Sequence, residues 1–153
     1  MHALICGSLA FDIIMVFDGH FKDHILPERI HSINVAFTVP SMRREFGGCA
    51  GNIAYGVKLL GGLPLIMTTV GDDFPPYYAA HLRTWGIPQT YIKTIPNTFT
   101  AQAFITTDRD DNQITAFHPG AMSVSHKTSV TSAVNKDSIS LGIVAPDSHD
   151  GML

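Results

Sequence analysis

An almost unbroken apolar segment, from residue 3 to residue 17, is the feature of this sequence that most restricts the possible folds. It predicts a strand that breaks near Gly7-Ser8 and continues into a second extended piece. A strand without a polar side must be covered on both faces, which favours a parallel or mixed sheet with helices on each side. No basic region precedes the segment, and it contains Asp12, so we interpret it as buried strand rather than as a signal peptide.

Helical and extended patterns alternate along the rest of the chain. Apolar positions at helical spacing follow Gly47-Gly48, and the pair Gly61-Gly62 supplies a stop for that helix. Such alternation, together with a detachable hairpin, predicts an α/β fold with a parallel sheet and a small β accessory. The predicted strands are 33–39, 64–70, 98–107, 113–117 and 139–145, and the predicted helices are 50–60, about 75–85 and one starting near Asp147.

Composition and charge exclude several classes of protein. The apolar content of 45% excludes intrinsic disorder, and the charged fraction of 15% fits a chain that is mostly buried. The net charge is −3 and no basic run exceeds Arg43-Arg44, so we expect no nucleic-acid partner. No segment approaches the roughly 18 apolar residues of a membrane helix, so we expect no membrane partner. Cys6 and Cys49 are too few for a disulfide framework and suit the cytoplasm.

The strongest local signal is the stretch Gly47-Gly-Cys-Ala-Gly-Asn52, at the start of a predicted helix. Its first two glycines allow a sharp bend and the close approach of a ligand. In the first helical turn, the Asn52 amide offers a donor and an acceptor to a hydroxyl-rich ligand, beside free backbone N–H groups. The alternative is a tight turn before a helix, with Asn52 satisfying local backbone groups. We expect a polar segment rather than a strand before the glycines, which excludes a dinucleotide-binding fingerprint.

The spacing of this stretch, with Gly61 and Gly71 following it, resembles the first signature of the ribokinase-like (PfkB) sugar and nucleoside kinases. The similarity extends along nearly the whole chain and includes a segment like the family's lid hairpin. The resemblance implies a ribokinase-like three-layer α/β/α fold with a small β lid. The segments that resemble the family are 6–12, 47–54, 70–74, 85–87 and 106–122.

The resemblance also implies a substrate site. Asp12, at the end of the family's first strand, would accept hydrogen bonds from two ribose hydroxyls, and the Gly48 backbone and Asn52 amide would hold the same hydroxyls. Phe117, on the lid, would stack on a purine, and Ser8 would line the site. Without the resemblance, Asp12 would be interpreted as the cap of a strand end or turn and Phe117 as a core residue. The predicted substrate-binding residues are Ser8, Asp12, Gly47, Gly48, Asn52 and Phe117.

Within the family, residues 42–52 and 117–122 are most similar to bacterial adenosine kinases, so adenosine is the first expected substrate. One position departs from that pattern, because Ala103 stands where adenosine kinases tend to carry a second lid aromatic. Phe104 or Phe99 could supply that aromatic ring instead, but Phe104 follows Ala103 directly, and neighbouring residues of a strand point to opposite faces. A kinase acting on ribose or fructose is the alternative within the family.

The resemblance covers the N-terminal half of a family member. We therefore expect residues 1–153 to form a truncated ribokinase-like domain, with lid segments at about 15–46 and 96–118. The family's second signature, Asp-Thr-x-Gly-Ala-Gly-Asp, has no match in the sequence, and it carries the catalytic base. The resemblance implies phosphorylation of a primary hydroxyl with ATP and Mg²⁺ by the full-length protein, an inactive chain by itself, and a homodimer formed through the lid. The alternative is a non-catalytic fragment that binds a nucleoside or sugar, or that dimerises.

Two further patterns are interpreted as surface features. His20 and His24 lie four apart, a spacing that suits Zn²⁺, but no third ligand is evident and the neighbouring Lys22 and Asp23 indicate a solvated surface. Residues 108–112 imitate part of a calcium loop but lack its terminal bidentate Glu. We predict a hairpin turn at 108–112 and no metal site.

Overall fold

The structure is a computed structural model that describes residues 2–152, apart from the side chain of Arg29. The chain forms two compact units: the first contains the residues up to 11, 46–102 and those from 118 on, and the second contains 12–45 and 103–117. Within the described residues, no helix is long and apolar enough to cross a membrane. The strands are β1 (His2–Cys6), β2 (Ala10–Val16), β3 (Ser41–Gly47), β4 (Leu63–Val70), β5 (Tyr91–Thr94), β6 (Ala101–Thr107), β7 (Gln113–His118) and β8 (Ile139–Val144), and the α-helices are α1 (Cys49–Leu59), α2 (Tyr78–Thr84), α3 (Val130–Val134) and α4 (His149–Met152).

The first unit contains a sheet with the strand order β5-β4-β1-β8. β1 pairs with β4 from His2↔Leu63 to Cys6↔Met67, and it pairs with β8 along its other edge. These pairs, and the pair between β4 and β5, are all parallel. Parallel neighbours require crossover connections, and α2 lies in the connection between β4 and β5. The predicted α/β fold with a parallel sheet is confirmed.

The two central strands of this sheet, β1 and β4, are covered on both faces, as the apolar composition of β1 predicts. On one face, Leu4, Leu65 and Met67 form a buried cluster with Ala133 of α3. Side chains alternate along a strand, so Ile5 projects to the opposite face, where it is fully buried. Helix α1 packs against both β1 and β4. The first unit therefore has the layers of helix, sheet and helix expected for the fold.

The second sheet has the strand order β3-β2-β6-β7, and β6 and β7 form the predicted hairpin. Its turn is held by Asp108, whose Oδ1 accepts hydrogen bonds from the backbone N–H groups of Asp110 and Asn112, each at 2.9 Å. Where β2 and β6 end, the Phe17 N–H donates a hydrogen bond to the Thr107 carbonyl oxygen at 2.8 Å. Every residue of β7 is exposed. An outer strand thus faces solvent here, unlike β1 and β4, the buried central strands of the parallel sheet.

The predicted strand at 33–39 is wrong. These residues have no regular secondary structure, and Phe37 packs against Phe17 and Phe21 with ring centroids 4.7 and 5.1 Å apart. A strand forms instead at β3, so the expected absence of a strand before the glycines is also wrong. β3 is mostly polar and exposed, which an outer strand tolerates, and it therefore lacks an apolar pattern. The glycines at 47, 48 and 51 still lack the G-x-G-x-x-G spacing of a dinucleotide site.

The predicted helices are present with shifted ends. Helix α2 begins at Tyr78 rather than near Pro75, because Pro76 disfavours the helical conformation in the residue before it. Near the end of the chain, α4 begins at His149, close to the predicted start near Asp147, and Ser148 Oγ accepts a hydrogen bond from the Gly151 N–H at 3.2 Å. Leu153, the next residue along the chain, lies outside the described residues.

Candidate functional site

The glycine turn lies between β3 and α1 in the first unit. Gly48 has a φ of 90°, which L side chains rarely adopt. A Cβ at this position would lie 2.5 Å from the Ser8 carbonyl oxygen and 2.7 Å from the Ala10 backbone nitrogen. Only glycine fits, because the backbone of residues 8–10 passes directly against the turn. The glycines are predicted to allow the close approach of a ligand. At Gly48, the protein's own backbone makes such an approach.

Ser8 holds the first turn of α1. Its Oγ accepts a hydrogen bond from the Cys49 N–H at 3.2 Å, and its carbonyl oxygen accepts one from the Ala50 N–H at 3.0 Å. Two of the N–H groups that a helix start leaves without an intrahelical partner are thereby satisfied. Ser8 is buried, so the structure gives it a role in fixing α1. Its contact with substrate stays a prediction.

Asn52 lies in the same first turn, with an exposed side chain. Its backbone N–H donates to the Gly48 carbonyl oxygen at 3.1 Å, as in a regular helix. Its side-chain amide forms no hydrogen bond within the part of the chain that the structure describes. The amide is therefore not used to satisfy local backbone groups, and it can offer both a donor and an acceptor to a ligand.

The predicted residues of the first unit, at positions 8, 47, 48 and 52, meet at the start of α1. Sequence analysis missed Tyr78 of α2, whose Oη donates a hydrogen bond to the Gly47 carbonyl oxygen at 2.7 Å. A partial signal exists, since Tyr78 and Leu82 lie four apart and present one face of α2 to the core. Helical spacing indicates burial of the ring, but it does not indicate which carbonyl the hydroxyl contacts.

Asp12 belongs to the second unit. It is the third residue of β2, rather than the end of a strand as the resemblance implied, and it is half-buried. Its carboxylate forms no hydrogen bond with the described residues, so it caps no turn there. Burial, and then the negative charge of Glu45, raise the pKa of Asp12. A partly buried carboxylate without donors is destabilised, and the hydroxyl groups of a ligand would supply the donors that it lacks.

Phe117 lies on β7 in the second unit and is 52% exposed. The interpretation of Phe117 as a core residue is therefore wrong, and its ring face is open to an aromatic ligand. Ala103 and Phe104 are neighbours on β6, as predicted, so their side chains point to opposite faces of that strand. Ala103 presents only a methyl group where the resemblance leads one to expect an aromatic ring.

Among the described residues, His20, Asp108 and Asp110 of the second unit have possible metal-ligand atoms within 4.8 Å of one another. Burial opposes ionisation of Asp108, but hydrogen bonds, first from the Phe21 N–H at 2.8 Å, lower its pKa to about 2. The Lys22 ammonium lies 2.8 Å from Asp110 Oδ2 and already supplies a positive charge there. Both carboxylates have partners within the protein, so this group closes the hairpin turn and does not fit a cation site.

The pair His20 and His24 lacks the helical geometry that its spacing suits. The residues between them form a 3-10 turn, Phe21–Asp23, rather than an α-helix that would place both rings on one face. The His24 ring packs edge-on against the Phe17 ring, with centroids 5.2 Å apart. The histidines are therefore directed to different neighbours.

Comparisons of the sequence with known proteins agree with one another. Residues 12–141 match the family described as pfkB family carbohydrate kinase. A nucleoside kinase from Methanothermobacter thermautotrophicus is 33% identical over 119 residues, which cover 77% of this chain and 35% of that protein. A nucleoside kinase from Methanocaldococcus jannaschii is 36% identical over 95 residues, which cover 61% of this chain and 32% of that protein.

Comparison with solved structures extends the match to nearly every residue. The structure of Burkholderia thailandensis nucleoside kinase in complex with inosine is 51% identical, with a TM-score of 0.80. The match covers 98% of this chain and 46% of that chain. The chain thus spans less than half the length of each of these relatives.

Proposed function

Since the chain belongs to the pfkB family of carbohydrate kinases, we propose that the whole protein transfers a phosphoryl group from ATP to the primary hydroxyl of a ribonucleoside. The main support for a nucleoside substrate is the 51% identity, over 98% of this chain, with a kinase whose structure contains inosine. The archaeal relatives are also named nucleoside kinases. We place the purine nucleosides adenosine and inosine, with adenosine first, ahead of ribose and fructose.

Three groups are proposed to bind the ribose hydroxyls. In the first unit, the Asn52 amide and the Gly48 backbone would contact ribose hydroxyls, and in the second unit the Asp12 carboxylate would accept hydrogen bonds from two adjacent hydroxyls. This proposal is supported by the unused capacity of both side chains, since neither forms a hydrogen bond with the described residues. Ser8 and Gly47 are proposed to form the edge of the site.

Phe117 is proposed as the platform on which the base stacks. Its exposure of 52% leaves a ring face available, and every base presents a π-face to an aromatic ring. Ala103 cannot supply a second ring. We therefore expect Phe117 to carry most of the difference in affinity between a nucleoside and the free sugar.

ATP and Mg²⁺ are proposed for the whole protein and are not assigned to these 153 residues. The sequence has no match to the signature that carries the catalytic base. The group formed by His20, Asp108 and Asp110 does not fit a cation, because both carboxylates already have partners within the protein. Phosphoryl transfer requires metal and charge stabilisation in addition to a positioned hydroxyl. We therefore assign no catalytic residue here, and we propose that this part of the protein binds the nucleoside.

Titration calorimetry of this chain with adenosine, inosine and ribose tests the proposal. We expect the purine nucleosides to bind at least about fivefold more tightly than ribose, because stacking of one base contributes roughly 1–3 kcal/mol. Phe117→Leu should remove most of that difference, while Phe104→Leu, an exposed aromatic on the neighbouring strand, should keep it. Equal binding of ribose and inosine would favour a sugar kinase, and no heat from any of the three would contradict nucleoside binding.

An assay of ADP release, with adenosine, ATP and Mg²⁺, tests the assignment of chemistry. We expect no turnover from this chain alone. Turnover that Asp12→Ala abolishes would show that the catalytic machinery lies within these residues, and it would overturn the assignment of ATP and the base to other parts of the protein.

A homodimer formed through the second unit is also proposed. Its outer strands, β3 and β7, carry exposed apolar side chains, among them Met42 at 69% and Ile114 at 43% exposure. Outer strands with free edges are the usual sites of pairing between chains. Sedimentation equilibrium should report a dimer that Ile114→Lys weakens, and a monomeric wild-type chain at high concentration would contradict the proposal.

The proposed compartment is the cytoplasm. Cys6 and Cys49 are both free thiols, as a reducing compartment favours. Burial, and then the negative charge of Asp147, raise the pKa of Cys6, so its reactive thiolate form is disfavoured. Cys6 is therefore suited to packing rather than to redox chemistry.

A further inference from the structure

The Tyr78 side chain connects α2 to the glycine turn. Its ring is almost fully buried, at 2% exposure, and its Oη donates a hydrogen bond to the Gly47 carbonyl oxygen at 2.7 Å. Gly47 is itself buried, so water cannot readily replace this donor. The bond joins residues 31 positions apart, and both partners belong to the first unit. The carbonyl that precedes Gly48 is therefore fixed by a tertiary contact.

The same hydroxyl fits closely against the first turn of α1. A Cβ at Gly51 would overlap Tyr78 Oη and would lie 2.9 Å from Leu9 Cδ2. The absence of a side chain at position 51 thus provides the space that the hydroxyl occupies. Tyr78 contacts the segment 47–51 at both ends, through a hydrogen bond at Gly47 and through packing at Gly51.

Neighbouring aromatic rings keep the Tyr78 ring in place. The ring centroids of Phe46, Phe74 and Phe11 lie 5.0, 5.6 and 5.7 Å from that of Tyr78, in tilted arrangements. Aromatic pairs at these distances have favourable geometry, and a ring held on several sides has few alternative rotamers. The hydroxyl therefore presents its donor to Gly47 in one orientation.

We propose that Tyr78 is a positioning residue for nucleoside binding. It fixes the Gly47–Gly48 peptide and the first turn of α1, and through that turn it fixes the direction of the Asn52 side chain. Tyr78 itself does not contact the substrate in this proposal. The role depends on the proposed function of Gly48 and Asn52 in holding ribose hydroxyls, because only then does the orientation of this turn affect affinity.

Replacing Tyr78 by Phe removes the hydroxyl and keeps the ring. We expect Tyr78→Phe to weaken inosine binding about three- to tenfold, the effect of one buried hydrogen bond. Tyr55→Phe is the matched control, since it makes the same change on α1 itself, at a partly exposed ring that packs against Trp85. It should leave the affinity for inosine unchanged. Equal affinity in both variants and wild type would overturn the proposal.

Hydrogen exchange supplies a measurement that needs no ligand. Tyr78→Phe should raise the exchange rate of the backbone amides in residues 47–52, while the amides in the last two turns of α1 keep their wild-type rates. A general loss of stability would instead raise exchange throughout the first unit. Exchange that rises uniformly, or that does not rise in 47–52, would contradict the positioning role.

The contact between Tyr78 and Gly51 can be tested by a double-mutant cycle. Gly51→Ala should weaken inosine binding and speed exchange in 47–52, because its methyl group displaces the hydroxyl. In the Tyr78→Phe background the same substitution should have a clearly smaller effect, since its closest obstacle is absent. Additive effects would contradict the proposal. If Gly51→Ala folds poorly, hydrogen exchange in Tyr78→Phe alone still tests whether the hydroxyl fixes the turn.

These measurements separate the positioning role from the proposed function. If wild-type protein bound neither adenosine nor inosine, the proposed function would fail, and the exchange rates of 47–52 would still decide whether Tyr78 fixes the turn. If wild-type protein binds inosine and Tyr78→Phe binds it equally well, the proposed function stands and the role of Tyr78 is overturned.

Discussion

The glycine turn of the first unit and the acidic side chains of the second unit are fixed by different physical means. At the start of α1, two neutral groups hold the turn, the hydroxyls of Ser8 and Tyr78. Both residues are buried, with exposed fractions of 8% and 2%. In the second unit, Asp12 has a raised pKa and no hydrogen bond among the described residues, while Asp108 has a lowered pKa and several donors. The first region should therefore respond to changes in shape, and the second to changes in charge.

The largest effect is expected from Gly48→Ala. The alanine methyl group would collide with the backbone of residues 8–10, and the alanine residue would have to adopt a φ of 90°. Backbone atoms cannot move aside as a flexible side chain can, so we expect a loss of about 3 kcal/mol or more in the free energy of unfolding. Urea denaturation measures that loss, and nucleoside binding should disappear with it.

Gly56→Ala provides the matched control for that substitution. Gly56 lies within α1, the helix that follows Gly48, and a Cβ there would meet nothing within 4 Å. Alanine in the middle of a helix stabilises by roughly 0.5–1 kcal/mol relative to glycine. A similar cost for both substitutions would show that the turn is not fixed by shape, and the comparison between the two regions would fail.

The next effect concerns Asp12, where charge rather than shape decides. If its carboxylate accepts the ribose hydroxyls, Asp12→Asn should weaken inosine binding about tenfold, since hydrogen bonds to a charged group contribute roughly 1.5–3 kcal/mol. The folded protein should be slightly more stable at pH 7 in this variant, because a raised pKa means that ionised Asp12 opposes folding above its unfolded pKa of about 3.9.

The pH dependence of binding sharpens this prediction. Affinity for inosine should fall as the pH falls through the raised pKa of Asp12, and Asp12→Asn should remove that step. Glu45→Gln deletes the neighbouring negative charge, so it should lower the pKa of Asp12 and move the loss of affinity to lower pH. Calorimetric titrations from pH 7 to pH 4 measure the affinity for inosine in wild type and in both variants. A pH profile of Asp12→Asn identical to that of wild type would exclude the carboxylate from the site.

A smaller effect is expected from Ser8→Ala. The substitution removes the Oγ that accepts from the Cys49 N–H, while the Ser8 carbonyl still accepts from the Ala50 N–H. Loss of a helix-capping hydroxyl costs typically about 1 kcal/mol. Urea denaturation should show that loss at neutral pH and again at pH 4, because no group that titrates in this range takes part. A loss that varies with pH would contradict a purely neutral support of the turn.

The elements that the sequence predicts well are those whose burial leaves a pattern. β1 and β4 are apolar along nearly their whole length because both faces are covered, and α1 shows apolar spacing because one side packs on the sheet. β3 leaves no such pattern, because its residues before Gly47 are exposed. Its strand conformation comes from pairing with β2, a tertiary interaction that local residue types do not specify.

The candidate site divides in the same way. The motif from Gly47 to Asn52 is visible in the sequence because several small residues occur at a fixed spacing, and the structure places its predicted members together. The hydrogen bond from Tyr78 could not be predicted, since it depends on how α2 packs against a turn 31 residues earlier in the chain. The raised pKa of Asp12 was equally inaccessible, because it depends on burial and on Glu45 of a different strand.

The smallest effect should be confined to the tip of the β6–β7 hairpin, and it should appear only in acid. Hydrogen bonds to its charged form lower the pKa of Asp108 to about 2, against an ordinary value of 3.8. Its ionised form therefore stabilises the folded tip above about pH 4, and that contribution is lost as the pH falls from about 4 towards 2. Protection of the Phe21 amide, which donates to this carboxylate, should decline over that range in nuclear magnetic resonance exchange experiments.

Asp108→Asn should lack this acid-dependent step, because its side chain does not ionise. The Cys49 amide supplies an internal reference in the same samples, since its acceptor, the Ser8 hydroxyl, does not titrate in acid. Its protection should stay constant while that of Phe21 declines. If both amides lost protection together, acid would be unfolding the whole chain, and the distinction between a turn fixed by shape and a turn fixed by charge would not hold.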